Sequence, residues 1–170
     1  NINSEKEKRI AKNLPQRISK RYLETRGYMR KSLGELFNIN PVEVPLSAEP
    51  NKPPLINNNL GYISISHWKD ALVVVWDNKK IGIDIERRDR EFDHKLISKK
   101  LINLKGNKIN KTEVLNNWCC LESAIKWDQG SIFKDINHWE LNKLAYSIFN
   151  KQKKLKLNIN QFYFYDWTIA

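Results

Sequence analysis

The 170-residue sequence lacks the features that mark membrane-spanning, fibrous or disordered chains. It contains no run of 18 apolar residues, so we expect no transmembrane helix. Gly and Pro number only 6 each, and 41% of residues are hydrophobic, which excludes collagen-like and low-complexity classes and argues against wholesale disorder. The opening residues contain no apolar segment, so we expect no signal peptide. No Gly-rich phosphate loop is present either. The composition therefore predicts a globular chain with an apolar core.

Cysteine is also scarce, and the two that occur, Cys119 and Cys120, are adjacent. A disulfide between neighbours is strained, so we expect no bridge and interpret both as small packed residues. Free thiols favour a reducing compartment, most simply the cytoplasm.

Positive charge is abundant, because 30 Lys and Arg residues outnumber 19 acidic residues and give a net charge of +11. A field of this sign attracts anions. The candidates are nucleic acid, anionic lipid, phosphorylated small molecules and acidic proteins, and charge alone does not choose among them.

Helical periodicity is clearest over residues 16–38, where Tyr22, Met29 and Leu33 lie on one apolar stripe. Arg26 and Arg30 are one turn apart and share a face beside that stripe. Residues before 16 are interpreted as a frayed lead-in. Two further helices are expected: 92–104 and 113–128.

Strand-like alternation appears over residues 62–67 and 81–86, with a more buried strand over 71–76. These three strands predict an antiparallel meander with one apolar face. Residues 39–60 and 129–137 are expected to be loops, and 138–149 and 161–169 strands. The order of elements predicts the α+β class.

Two acidic residues share one face of the strand predicted over 81–86, namely Asp84 and Glu86. Like charges side by side need a cation near them. Carboxylate oxygens suit Mg²⁺ or Mn²⁺, which often also contacts substrate phosphates. The alternative is a solvated strand edge that pairs with Arg87 or Arg88.

Glu122 and Lys126 are spaced i, i+4 on the helix predicted over 113–128. They form either an ordinary surface ion pair or a third carboxylate with a phosphate-binding cation. Ser66 and His67 lie at a strand end. His67 is either a packing residue or, with the Ser66 hydroxyl, part of a phosphate site.

Three segments together resemble the motifs of the 4′-phosphopantetheinyl transferases of the surfactin-synthetase-activating type. In chain order they are Ser64-Ile65-Ser66-His67, Ile81-Gly82-Ile83-Asp84-Ile85-Glu86 and Trp118-Cys119-Cys120-Leu121-Glu122-Ser123-Ala124-Ile125-Lys126. The basic helix with Arg26 and Arg30 is similar to that group's first helix, and Asn51-Lys52-Pro53 to its Gly-Lys-Pro segment.

The resemblance implies transfer of the phosphopantetheine arm of coenzyme A to a serine of an acyl or peptidyl carrier protein in fatty-acid or polyketide synthesis. It implies that Asp84, Glu86 and Glu122 hold Mg²⁺. Glu122 would also be the base, and Lys126 would contact the pyrophosphate.

For the nucleotide and its phosphates, the resemblance implies contacts from Arg26, Arg30, Lys52, Ser66 and His67. It implies a monomer built as a pseudo-dimer of two similar α+β halves, here 1–79 and 80–170.

Other functions stay open at the level of sequence. Leu121 stands where the family motif has a lysine, which favours coenzyme A or carrier binding without catalysis. The basic residues allow a nucleic-acid-binding module, although no helix-turn-helix, RRM or OB signature is present. The same carboxylates would also suit a metal-dependent phosphodiesterase.

Overall fold

A computed structural model describes residues 2–47, 49–50, 52–69, 71–93, 97–98, 110–142 and 147–170. These ranges contain helices and small antiparallel sheets, so the protein belongs to the α+β class, as the order of elements predicted. Backbone contacts divide the chain into two units, 1–63 with 76–79 and 64–75 with 80–170. None of the described helices is long and apolar enough to cross a membrane.

The first unit begins with a helix, so the frayed lead-in expected before residue 16 is wrong. Helix α1, Glu5–Lys12, starts at Ser4, whose hydroxyl accepts from the Glu7 amide while the Glu7 carboxylate accepts from the Ser4 amide. This reciprocal capping box satisfies two amide groups that a helix end otherwise leaves unpaired. The Ser-x-x-Glu spacing is the signal in the sequence that predicts it.

Helix α2, Gln16–Phe37, confirms the helix expected over 16–38. Tyr22, Met29 and Leu33 are buried, as their stripe predicted. The chain leaves the helix through Asn38 in the left-handed conformation, with φ of 53°. The segment 39–60, expected to be a loop, also contains short regular elements: a 3₁₀ turn at Pro41–Glu43 and the antiparallel pair β1, Leu46–Ser47, and β2, Leu55–Ile56.

The meander expected over 62–86 is only partly present. Strands β3, Tyr62–Trp68, and β4, Ala71–Asp77, form a two-stranded sheet. The third strand, predicted over 81–86, is the shorter β5, Ile85–Arg87. It pairs with a strand far along the chain, β10, Trp167–Ile169. Its sheet has the order β5-β10-β9, where β9 is Phe162–Phe164.

Residues 81–84 precede β5 and pack closely against a helix at Gly82. A Cβ atom on Gly82 would lie 2.0 Å from the carbonyl oxygen of Ser123 and 2.6 Å from the amide of Trp127. Only glycine allows the backbone to approach the helix at this distance. The segment therefore lies directly against the helix that carries Glu122.

That helix is α3, Lys111–Trp127, which confirms the helix expected over 113–128. Asn110 caps it by accepting from the Glu113 amide. Its apolar stripe packs into the main core of the second unit, which consists of Val114, Leu121, Ala124, Ile125, Ile136, Trp139 and Ile148. Cys119 and Cys120 are free and buried, so no bridge forms between them, as expected.

The second unit continues with short elements. The loop expected over 129–137 contains helix α4, Ile132–Asp135, followed by a 3₁₀ turn at Ile136–His138. The strand expected over 138–149 is two strands. They form a sheet with a third strand, and its members are β6, Trp139–Asn142, β7, Ser147–Asn150, and β8, Leu155–Asn158. The helix expected over 92–104 falls largely on residues outside the described ranges.

Candidate active site

Asp84 is the centre of a polar cluster inside the second unit. It is only 2% exposed, which decides against the solvated edge that the sequence left open. Its Oδ1 accepts hydrogen bonds from the Ser66 hydroxyl at 2.7 Å and from Lys126 Nζ at 2.6 Å. Lys126 also donates to Ser66 Oγ at 3.0 Å. Three residues from three separate sequence segments are therefore in direct mutual contact.

The backbone around Asp84 is held from both sides. Its amide donates to the Ala170 carbonyl at 2.8 Å, and its carbonyl accepts from the Ala170 amide at 3.1 Å. The Cys119 thiol also donates to that carbonyl at 3.3 Å. These contacts fix the main chain, so the direction of the Asp84 side chain is set by the sheet and by α3 together.

Glu86 lies in the same cluster and is 6% exposed. Its Oε2 lies 3.1 Å from Nη1 of Arg90, so the two groups form an ion pair. Oε2 is buried and accepts no hydrogen bond. The guanidinium of Arg90 lies 5.0 Å from the ring centres of both Trp68 and Phe92. Since Asp84 and Glu86 are both buried, the alternative of a solvated Asp-x-Glu edge paired with Arg87 or Arg88 is wrong.

Glu122 and Lys126 form the i, i+4 pair that the sequence predicted, with Oε2 and Nζ 3.7 Å apart. The pair is not an ordinary surface contact, since Nζ lies closer to buried Asp84 than to Glu122. Lys126 is thus a shared cation between two carboxylates.

Burial raises the pKa values of two carboxyl groups in this cluster. Desolvation, with repulsion from Asp84, raises the pKa of Glu86 to about 8. Desolvation and the same Asp84 charge raise the pKa of Glu122 to about 7, against the opposing effect of Lys126. Near neutral pH the cluster therefore retains protons on Glu86 and Glu122 that exposed carboxyl groups would have released.

A stability measurement checks these raised pKa values. Between pH 4.5 and about 8 the folded state retains protons on Glu86 and Glu122 that the unfolded state has released. We therefore expect the free energy of unfolding of the metal-free protein to fall by a few kcal/mol as pH rises through this window. Urea unfolding at a series of pH values, with EDTA present, measures the slope.

The matched variants are Glu86→Gln and Glu91→Gln, since Glu91 is exposed in the same unit. Glu86→Gln should flatten the slope and stabilise the protein most at pH 8. Glu91→Gln should leave the slope as it is. A wild-type free energy that stays level between pH 5 and pH 8 would contradict the raised pKa values.

The donor set is chemically suited to a hard divalent cation. Asp84 Oδ2 and Glu86 Oε2 are both buried and have no hydrogen-bond partner. Such oxygens are the ligands that Mg²⁺ and Mn²⁺ prefer. Over the residues that the structure describes, no group of three or more His, Cys, Asp or Glu side chains has the arrangement of a metal site. Lys126 lies against Asp84 Oδ1 and Arg90 lies 3.1 Å from Glu86 Oε2, so Asp84 Oδ2 is the buried oxygen with neither a hydrogen bond nor an ion pair.

The remaining predicted phosphate ligands lie in the first unit. Arg30 is 3% exposed, and its Nε donates to Glu7 Oε2 at 2.8 Å. Arg26 is also buried, with its guanidinium 4.5 Å from the Tyr22 ring centre. Lys52 is exposed and lies 2.7 Å from Glu49. The contacts of Arg30 favour a structural role, and its contact with a nucleotide stays a prediction.

Two further sequence candidates differ in exposure. Ser66 is buried in the cluster, whereas His67, the next residue on β3, is exposed. Arg90 was not identified from the sequence, because no motif marks it and its role depends on the burial of Glu86.

The comparisons with known proteins add no relative. A scan against protein-family models found no family that matches the sequence, and a search of curated proteins found no match either. The functional argument therefore rests on the residues and their geometry.

Proposed function

We propose that the protein is a 4′-phosphopantetheinyl transferase, which moves the phosphopantetheine arm of coenzyme A to a carrier-protein serine. The observation that carries this proposal is the meeting of Ser66, Asp84 and Lys126. These residues come from the three separate segments on which the family resemblance rests. The proposal extends to that family's fold, a pseudo-dimer of two similar halves, 1–79 and 80–170, acting as a monomer in the cytoplasm.

Asp84, Glu86 and Glu122 would hold Mg²⁺, with Mn²⁺ as the alternative. Two buried oxygens without a hydrogen bond, Asp84 Oδ2 and Glu86 Oε2, support this assignment, and a bound ion would replace Arg90 as the cation beside Glu86. When bound, the ion supplies charge neutralisation for the pyrophosphate of coenzyme A. It would also lower the pKa values of Glu86 and Glu122, which burial and the Asp84 charge raise in the metal-free protein.

The chain's own residues bind and orient the phosphates. Lys126 Nζ and the Ser66 hydroxyl are hydrogen-bond donors beside the carboxylates, and His67 follows Ser66 on the same strand. Arg26, Arg30 and Lys52 are proposed to contact the nucleotide part of coenzyme A. The +11 net charge suits both coenzyme A and an acidic carrier protein as partners.

Glu122 is the proposed base. Its carboxylate lies 3.7 Å from the Lys126 ammonium, beside the groups proposed to bind the phosphates, so it can accept a proton at the point of transfer. In the reaction, the carrier serine oxygen forms a bond to the phosphorus that carries the pantetheine arm. The bond from that phosphorus to the bridging oxygen breaks, and adenosine 3′,5′-bisphosphate leaves. The serine proton passes to the Glu122 carboxylate.

Leu121 favours a second candidate function, binding of coenzyme A or a carrier protein without transfer. Leu121 is 5% exposed and packs in the main core of the second unit, where the family motif has a lysine. No cationic group therefore stands beside Glu122 on its N-terminal side in α3. If catalysis requires the family lysine, this protein binds coenzyme A or the carrier protein but does not transfer the phosphopantetheine arm.

Intact-mass spectrometry separates the two candidates. An apo acyl carrier protein is incubated with this protein, coenzyme A and Mg²⁺. Transfer adds one phosphopantetheine, about 340 Da from the chemistry of the cofactor arm, and EDTA abolishes the gain. No gain, with thermal stabilisation by coenzyme A, would identify the non-catalytic binder. No mass gain, no stabilisation by coenzyme A and no complex with the apo carrier protein on gel filtration would overturn both candidates.

Substitution of Glu122 tests its role as base. Glu122→Gln should lower the transfer rate by about 10²–10⁴-fold, because it removes proton transfer while keeping the side-chain volume. The thermal shift produced by coenzyme A should persist in this variant. Glu91→Gln, an exposed change of the same chemistry, should transfer at the wild-type rate. A Glu122→Gln rate equal to wild type would remove Glu122 from proton handling.

A further inference from the structure

A cavity of about 370 Å³ lies in the second unit, lined by parts of α3, the segment 81–83 and the end of β8. All of its described lining residues belong to that unit. The apolar members include Ile81, Ile83, Trp127, Leu157, Ile159 and Phe162. The volume is within the range of about 300–1,000 Å³ that is usual for small-molecule sites. The cavity is therefore large enough to hold a small organic molecule.

Helix geometry places this cavity on a different face of α3 from the carboxylate cluster. Ala124 and Trp127 line the cavity, whereas Glu122 belongs to the cluster. At about 100° per residue, Ala124 points about 160° and Trp127 about 140° away from Glu122. A molecule in the cavity would therefore not occupy the candidate active site.

Much of the apolar lining is still in contact with solvent. Phe162 is 60% exposed, and Ile81, Ile83 and Leu157 are only half-buried. Covering such side chains is favourable in proportion to the apolar area that is removed from water. The cavity therefore favours an occupant with an apolar chain over a wholly polar molecule.

Lys80 gives the cavity a positive charge, since it is the one charged side chain among the described lining residues. It is exposed, and its Nζ lies 5.1 Å from the ring centre of Trp127, so the ammonium group stays beside the cavity. In the part of the chain that the structure describes, no carboxylate pairs with Lys80. The ammonium group is therefore suited to an anionic group on the occupant.

We propose that this cavity is a second small-molecule site, which binds an anionic amphiphile, namely a medium-chain aliphatic carboxylate. The alkyl chain packs against the aliphatic lining and the rings of Trp127 and Phe162, and the carboxylate pairs with Lys80 Nζ. Binding requires neither the carboxylate cluster nor a metal ion. The site is therefore independent of the proposed transferase reaction.

Decanoate is the probe, with hexanoate and octanoate as shorter members of the series. Titration is followed through the indole N–H signals of the ¹⁵N-labelled full chain without coenzyme A. We expect a saturable shift of the Trp127 signal and none of Trp118, which is nine residues away and therefore on the opposite side of α3. Each added methylene should tighten binding about fourfold, equivalent to ~0.8 kcal/mol. No shift, equal shifts of both signals, or an affinity independent of chain length would overturn the proposal.

Lys80→Gln tests the charge of the ligand, with decan-1-ol as the uncharged compound. The variant should bind decanoate at least about threefold more weakly, because it loses the ion pair, and should bind decan-1-ol as the wild type does. Lys79→Gln is the matched control, since Lys79 is exposed, adjacent and not among the lining residues, and it should alter neither affinity. Equal decanoate affinities of the two variants, or wild-type protein that binds decan-1-ol as tightly as decanoate, would contradict an anionic ligand.

Discussion

Asp84→Asn is expected to lower the rate of phosphopantetheine transfer by at least about 10²–10³-fold, the scale of losing one electrostatic contribution to a transition state. The substitution keeps an oxygen that can accept from Ser66 and removes the charge that faces Lys126. It also removes one proposed metal ligand. Intact-mass kinetics over a range of Mg²⁺ concentrations measures the loss, and high Mg²⁺ should not restore the rate.

Asp89→Asn is the matched control for this experiment. Asp89 lies five residues further along the chain, is exposed and pairs with its neighbour Arg87 at the surface. It should transfer at the wild-type rate. Circular dichroism of both variants shows whether the fold is retained. A folded Asp84→Asn protein with normal turnover would remove Asp84 from the reaction.

Glu7→Ala is expected to have the largest effect on stability, a loss of about 3–5 kcal/mol in the free energy of unfolding. The reason is that Glu7 and Arg30 form an ion pair in which both side chains are at most 5% exposed. Removing the carboxylate leaves the guanidinium buried without a counter-charge. It also removes the capping box at Ser4, which adds to the loss. Urea unfolding followed by tryptophan fluorescence measures the difference.

Glu5→Ala, in the same turn of α1, is the control. Glu5 pairs with Lys8 at the surface, so its removal should leave the free energy of unfolding nearly unchanged. If Glu7→Ala were no more destabilising than Glu5→Ala, the buried pair would contribute nothing measurable.

The double variant Glu7→Leu with Arg30→Met extends the test to the loop that Arg30 supports. Arg30 Nη1 donates to the carbonyl oxygens of Pro41, Val42 and Val44 at 2.9–3.1 Å. An apolar pair would remove the buried charges but leave these carbonyls without their donor. The double variant should therefore recover only part of the lost stability. Full recovery would mean that the carbonyl contacts are unimportant.

Local patterns predicted the elements that depend on local contacts. Helices α2 and α3 follow from 3.6-residue periodicity, and β3 and β4 from alternation and β-branched residues. The partner of β5 did not follow, because alternation shows that a strand has two faces and not which strand it joins. The close approach at Gly82 was also invisible, since it depends on the position of α3.

The sequence predicted which residues form the candidate site, but it did not predict their burial or the residues that lie beside them. It placed Asp84, Glu122 and Lys126 in one site through the family resemblance, and the structure brings these side chains together in the second unit. It did not predict that Asp84 would be buried, nor that Arg90 would accompany Glu86. Burial of a charged residue depends on which distant segments cover it, and no short motif encodes that.

The pairing of β5 with β10 has a consequence for the order of events during synthesis. Arg87 pairs with Trp167, 80 residues further along the chain. At ribosomal rates of about 5–20 residues per second, roughly 4–16 s pass between the synthesis of β5 and the synthesis of β10. During that interval Asp84 lacks the backbone bonds that later hold it. The carboxylate cluster is therefore completed only once β10 has been made, later than α3.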